Sequence, residues 1–140
     1  MAEKFKIITQ FVKDMSSETP NVETYLYVKE YIKNYNLNIE ITTKPLKNRM
    51  IEVNTKLDYK DNGKSKNKSH FEMNYASIIK IDEEIKDRKI IEKIILCDVQ
   101  KEIYPSLEKI FINLLSTSGF SNIKFEKTID FEKLYKEKFN

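Results

Sequence analysis

Alternation of apolar and polar residues organises the chain as far as Ile81. Residues 5–12, FKIITQFV, set Phe5, Ile7 and Phe11 in one register with Thr9 between them, and Ile8 and Val12 in the other, which predicts a strand. The polar stretch that follows, DMSSETPNVET, contains Pro20 and turn formers, so the strand is expected to end within residues 14–17. Residues 25–35 carry Tyr25, Tyr27, Tyr31 and Tyr35 at spacings that satisfy neither period, and read as a crossing segment with some helix. A second strand, LNIEITT at 37–43, opposes Leu37, Ile39 and Ile41 to Asn38, Glu40 and Thr42, and the Lys44-Pro45 step closes it. Residues 50–59 and 69–81 flank the Asn62-Gly63 turn signal and read as a long hairpin. In its second arm Phe71, Met73 and Tyr75 share one face while His70, Glu72 and Asn74 share the other, the mark of an antiparallel sheet covered on one side.

Beyond Ile81 the period changes. Ile85, Ile90, Ile91, Ile94, Ile95 and Val99 are spaced for a helix. A second helix is expected over 102–115, striped by Ile103, Leu107, Ile110, Phe111 and Leu114, with Pro105 in its first turn and Gly119 as its stop. Asp130 is placed to cap a last short helix, FEKLYKEKF. Four strands followed by helices predict an α+β fold, a four-stranded antiparallel sheet with helices packed on one face. At 140 residues the chain is expected to form one domain, residues 1–140.

Composition removes most functional classes. Two Gly and three Pro leave no Gly-rich phosphate loop. The lone Cys97 makes no intrachain disulfide, and with a single His there is no ordinary metal cluster, so no cofactor and no metal are expected. Cys97, inside IEKIILCDV, reads as a small core residue rather than a reactive thiol. His70 and Glu72 share a strand face, but no nucleophile or oxyanion loop accompanies them, and the chain is read as a non-enzyme. The charged first turn of sequence lacks a signal peptide's apolar run, and no later segment approaches the roughly 20 apolar residues of a membrane span. A cytoplasmic protein without direct membrane insertion is expected. Net charge is +3 with Lys and Glu interspersed, and the basic stretch KDNGKSKNK at 60–68 reads as a solvated hairpin tip, so nucleic acid is not an expected partner.

Three stretches carry a resemblance to a known family. FVKDMSSETPN, residues 11–21, is similar to the pattern of the bacterial export chaperone SecB: an aromatic strand end, Lys-Asp, a Ser, an acid, then Pro-Asn. IEVNTKLDY, the hairpin and HFEMNYASIIKI look like the family's central hairpin. A third match runs from Ile103-Tyr104-Pro105 through SGF at 118–120 to IDFEKLY at 129–135. Together they cover nearly the whole chain in order.

The resemblance implies a holding chaperone that uses no ATP, binds unfolded preproteins in apolar grooves, and assembles as a homotetramer, a dimer of dimers with the long helices sandwiched between. It places Tyr25, Tyr27 and Tyr31 of the crossover segment, with Tyr104, in the client lining; core or subunit packing explains these rings equally well. It places Asp14, Glu18 and Glu72, with His70 beside them, on the sheet face that meets the translocation motor SecA; from spacing alone the acids read as solvated surface. The chain departs from the family at His70, where Leu is usual, at Ala76-Ser77, where a Gly pair is usual, and at Ser106 and Glu108, which replace an aromatic residue and an Arg. Its basic balance and its end at Asn140 also differ from acidic members with a longer tail, so tail-mediated motor binding is expected to be missing. The alternative reading is a SecB-like chaperone dedicated to one partner, such as an antitoxin, without delivery to SecA.

Overall fold

The computed structural model describes residues 4–61, 63, 66–121, 123–125 and 129–139. Strands β1 (Phe5–Glu18), β2 (Asn36–Pro45), β3 (Met50–Lys60) and β4 (His70–Ile81) form one antiparallel sheet in the order β1-β4-β3-β2. Helix α1 (Val22–Tyr31) and a 3-10 turn (Ile32–Asn34) cross from β1 to β2. Helices α2 (Arg88–Lys93), α3 (Val99–Thr117) and α4 (Phe131–Phe139) follow the sheet. The expected α+β architecture is therefore present. Of the residues expected at the tip between β3 and β4, Asn62, Lys64 and Ser65 lie outside the described set.

The sheet's inner face is built by the predicted alternation. Val53, Leu57 and Tyr59 from β3 and Phe71, Met73, Tyr75, Ile79 and Ile81 from β4 are buried. The helical stripe of Ile103, Leu107, Phe111 and Leu115 covers them. Rings interlock across the two layers, with Tyr59 edge-on to Phe111 at 6.5 Å and Phe71 edge-on to Phe120 at 5.5 Å. Such offsets set the positive ring edge against the negative face and add to the burial of apolar area.

Four features differ from the sequence reading. First, β1 continues to Glu18, because residues 14–18 keep pairing with β4 as far as Glu18 opposite His70. It also contains two bulges, between Ile7 and Thr9 and between Val12 and Asp14. Each bulge inserts one residue and reverses the alternation. Phe5 and Ile7 thus lie opposite Ile81 and Ile79 on the inner face, whereas Phe11, expected in their register, lies opposite Ala76 on the outer one.

Second, the crossing segment is a capped helix. Asn21, not read as a cap, accepts a hydrogen bond from the Thr24 backbone N–H at 2.8 Å, which satisfies one orphan donor of the first turn. Third, the two expected helices are one run, Arg88 through Thr117, joined by a π-helical segment at Ile94–Asp98. Pro105 consequently sits inside α3 rather than in a first turn. The carbonyl it leaves without a partner belongs to Lys101, and both residues are exposed, so water can reach it. The π segment leads into the buried Gln100, whose side chain accepts from Thr55 Oγ1 at 3.0 Å and donates to the Ile95 carbonyl at 3.5 Å, tying helix to sheet.

Fourth, β2 and β3 are joined by a turn with two successive left-handed residues, Asn48 (φ 60°) and Arg49 (φ 61°), although no Gly is present. An Arg in that region carries strain of about 1–2 kcal/mol. Its guanidinium holds the conformation by donating to the carbonyls of Asp82 at 2.9 Å and of Ile85.

The expected helix ends are found. Gly119 adopts φ +100°, with its N–H bonded to the Ser116 carbonyl and the Phe120 N–H bonded to the Leu115 carbonyl, a Schellman stop. Asp130 caps α4 by accepting from the Lys133 N–H at 3.1 Å. Because Phe111 is fully buried between Tyr59 and Phe125, Phe111→Ala is expected to destabilise the fold by about 3–5 kcal/mol. Urea unfolding at a fixed protein concentration checks this as a drop in midpoint with an unchanged slope.

Candidate functional site

Two surfaces differ from an ordinary solvated exterior. One is the outer face of the sheet. On β3 the alternation places Glu52, Asn54, Lys56 and Asp58 outward, and on β4 it places His70, Glu72 and Asn74 beside them. Opposite charges face each other across the strands. Lys13 reaches Glu52 at 2.7 Å, Lys56 reaches Glu72 at 2.5 Å, and Asp58 receives His70 Nε2 at 2.6 Å with Lys60 at 3.5 Å. The Lys13 ammonium and the Asn54 amide donate to Glu52 and hold its carboxyl below the usual range. Glu72 in turn raises the ammonium of Lys56.

The four candidate motor-contact residues all lie on this face. Glu18 stands opposite His70, Ser16 opposite Glu72, and Asp14 opposite Asn74. Their states differ. Glu72 and His70 are engaged by Lys56 and Asp58, while Asp14 and Glu18 are exposed and meet no charged partner among the described residues. Sequence reasoning missed Lys13, Glu52, Lys56 and Asp58, although the alternation of 50–60 placed the last three on one face.

The other surface is apolar. Helical spacing puts Tyr25, Val28 and Ile32 toward the core and leaves Val22 and Leu26 along one flank and Tyr27 and Tyr31 along the other. Val22 is 71% exposed and Leu26 60%. Tyr27 and Tyr31 are also exposed, and their rings pair at 4.7 Å. On β1, Ile8, Phe11, Val12 and Met15 are exposed as well, although Val12 and Met15 point to the sheet's inner side opposite Tyr75 and Met73. The helical layer leaves Val12 and Met15 uncovered, and β1 is an edge strand with one unpaired side.

The candidate client residues are therefore not one cluster. Tyr27 and Tyr31 are surface rings. Tyr25 is half-buried, packed on Phe120 at 5.2 Å, with its hydroxyl donating to the Gly119 carbonyl at 2.8 Å. Tyr104 is buried edge-on against Phe131 at 5.4 Å, and burial, with the Glu108 charge adding to it, pushes its hydroxyl pKa well up. Burial also raises the Cys97 thiol, whose Sγ donates to the Phe131 carbonyl. Among the described residues no group of His, Cys, Asp or Glu is arranged to hold a metal, and no helix is long and apolar enough to cross a membrane.

A charged sheet face on one side and bare aromatic and aliphatic margins on the other are surfaces of the kind that meet other polypeptides. The family model described as preprotein translocase subunit SecB matches residues 1–140. The chain is 55% identical over 140 residues, all of both sequences, to the putative protein-export protein SecB of Pelagibacter ubique strain HTCC1062. It is 23% identical to the protein-export protein SecB of Parvibaculum lavamentivorans, over 98% of this chain and 80% of that one. The fold superposes on the SecB-like chaperone of Mycobacterium tuberculosis, solved in complex with a ChAD peptide from the HigA1 antitoxin, with a TM-score of 0.67 at 9% identity over 89% of this chain and 91% of that one. The chain belongs to the SecB family of protein-export chaperones.

The depressed Glu52 carboxyl links charge pairing to pH. A carboxylate with a lowered folded pKa stabilises the fold above its ordinary value near 4.5, and that contribution disappears as pH falls through the lowered folded value. Since Lys13 is nearly half exposed, Glu52→Gln is expected to cost under about 1 kcal/mol at pH 7, and the difference shrinks as pH falls below the ordinary carboxylate range. Denaturation midpoints of both proteins across pH 3–7 measure that convergence.

Proposed function

We propose that the chain is an ATP-independent holding chaperone of the cytoplasm that binds unfolded preproteins and delivers them to the SecA motor. The observation that carries this reading is the set of exposed apolar side chains on α1 and β1, seven of them named above for those two elements besides Tyr31. Apolar side chains left in water on neighbouring elements favour contact with the apolar segments of an unfolded chain, and require no side-chain-specific fit. Tyr27 and Tyr31 are the rings proposed to meet clients. Tyr25 and Tyr104 belong to the lining through the positions they fix, since both are committed to packing within the chain.

The chain is proposed to act as a homotetramer, a dimer of dimers, from a single domain. The bare inner side of β1 at Val12 and Met15 and its open edge support subunit contact there. Delivery is proposed through the outer sheet face, with Asp14 and Glu18 as its free acids and Glu72 and His70 reachable once Lys56 and Asp58 yield them. Exposed charges of this kind favour fast and reversible docking.

A second reading is a chaperone dedicated to one partner such as an antitoxin, without SecA. The engagement of Glu72 by Lys56 favours it, as does the antitoxin peptide bound by the M. tuberculosis SecB-like chaperone.

Without nucleotide, the protein is expected to suppress aggregation of a reduced, denatured protein on dilution, measured by light scattering. Tyr27→Ala with Tyr31→Ala is expected to weaken client binding about tenfold. A requirement for ATP, or full activity in that double variant, would contradict the client reading. Glu72→Lys separates the two functions: export delivery requires that it reduce binding to SecA, whereas a dedicated chaperone retains its activity.

A further inference from the structure

Tyr25 stands apart from the other aromatic residues of α1. It is the ring that ties this helix to the end of α3, and several observations converge there. Its hydroxyl donates to the Gly119 carbonyl at 2.8 Å, and its ring tilts against Phe120 at 5.2 Å. Gly119 is fitted to that contact: a Cβ built on it would lie 2.6 Å from the Tyr25 ring, and its φ of +100° excludes ordinary side chains independently. On the preceding residue, Ser118 Oγ donates to the Leu114 carbonyl at 2.7 Å and accepts from Ser17 Oγ at 2.6 Å, fixing the end of β1 to the same turn. The Schellman stop of α3 is thus a junction at which β1, α1 and the helical layer meet.

The junction is placed where it would resist rotation of α1 about its own axis. Tyr25 lies between the buried Val28–Ile32 side and the exposed Val22–Leu26 flank, so it is the residue best placed to resist a roll of the helix. A roll would carry Tyr27 and Tyr31, at the opposite flank, together toward or away from the sheet, because both rings ride on the same helix one turn apart.

We propose that Tyr25 is a positioning residue for client binding: anchored on Gly119 and Phe120, it fixes α1 so that the Tyr27–Tyr31 pair faces outward as one preformed aromatic surface. This inference rests on the proposed client role of Tyr27 and Tyr31. Its physical basis is preorganisation, since a ligand that must first select one helix orientation binds more weakly in proportion to the fraction of molecules that hold it.

The test is a double-variant cycle on the full-length protein, read by anisotropy of a fluorescein-labelled unfolded peptide rich in Leu and Phe. Tyr25→Phe keeps the ring on Phe120 and removes the hydrogen bond. It is expected to weaken binding about two- to tenfold, the scale of one neutral hydrogen bond. In a Tyr27→Ala, Tyr31→Ala background, where neither ring remains to be oriented, Tyr25→Phe is expected to change the residual affinity little. Gly119→Ala, which displaces the Tyr25 ring, is expected to show the same dependence on background.

Equal weakening by Tyr25→Phe in both backgrounds would assign Tyr25 a general structural role and overturn the proposal, as would unchanged affinity in the otherwise native protein. Unchanged affinity in the Tyr27→Ala, Tyr31→Ala variant alone would instead overturn the client role of the pair on which the proposal rests. Loss of stability cannot imitate the expected result, because it would lower affinity in both backgrounds alike.

Discussion

The helical layer buries the inner face of β3 and β4 but leaves most of β1 beyond Ile7 uncovered, and this incomplete coverage is the constraint on which the molecule's other features depend. Val53, Leu57, Phe71, Met73, Leu107 and Phe111 close a core without exposed area, while every residue of β1 from Ile8 to Glu18 remains exposed. An edge strand left bare on both faces from Ile8 onward retains apolar side chains that a self-contained monomer would cover. The same limit governs α1. It is anchored by one side, with Val28 fully buried, and presents Val22, Leu26, Tyr27 and Tyr31 to water. Stability therefore resides in the β3–β4–α3 sandwich, and the surfaces available for recognition lie at its margin.

The bulges in β1 add a second level of organisation. By reversing the alternation twice they direct Phe11 and then Asp14 and Glu18 to the outer face, alongside the charges of β3 and β4. On β3 and β4 those charges are paired, through Lys13–Glu52, Lys56–Glu72 and His70–Asp58. Exposed pairs of this kind contribute little to stability, typically under about 1 kcal/mol each. Their effect is on the field of the face: the acids of β3 and β4 are engaged by neighbouring side chains, while Asp14 and Glu18 on β1 and Glu40 on β2 stay exposed to a basic partner. A member of the SecB family with this arrangement differs in charge distribution from one whose outer face is uniformly acidic.

Much of this fold was readable from residue order, for a specific physical reason. The period of two in LNIEITT and HFEMNY and the wider spacing of Ile103, Leu107 and Phe111 reflect a one-sided sheet under helices, so strands, layers and most of the core followed directly. What escaped depends on partners distant in sequence. The bulge at Ile8 exists because of pairing with Ile78 and Ile79, and nothing local announces it. Asn21 was read as part of a polar loop because its capping role appears only with Thr24 in helical geometry. The π segment at Ile94–Asp98 preserves an apolar run that two separate helices would equally explain. For the candidate site, alternation put Glu72 on the outer face, while Asp14 and Glu18 were set beside it through the resemblance; neither could reveal that Lys56 occupies Glu72, nor that Tyr25 is held by Gly119.

The central claim is that a core complete in itself carries apolar margins meant for other polypeptides, copies of itself and unfolded clients. Mass measured by light scattering behind size exclusion, with and without an unfolded client and without nucleotide, tests it most directly. The account predicts a species of about four times 16.7 kDa that gains the mass of a bound client. A monodisperse monomer of 16.7 kDa, unchanged by the client, would contradict it.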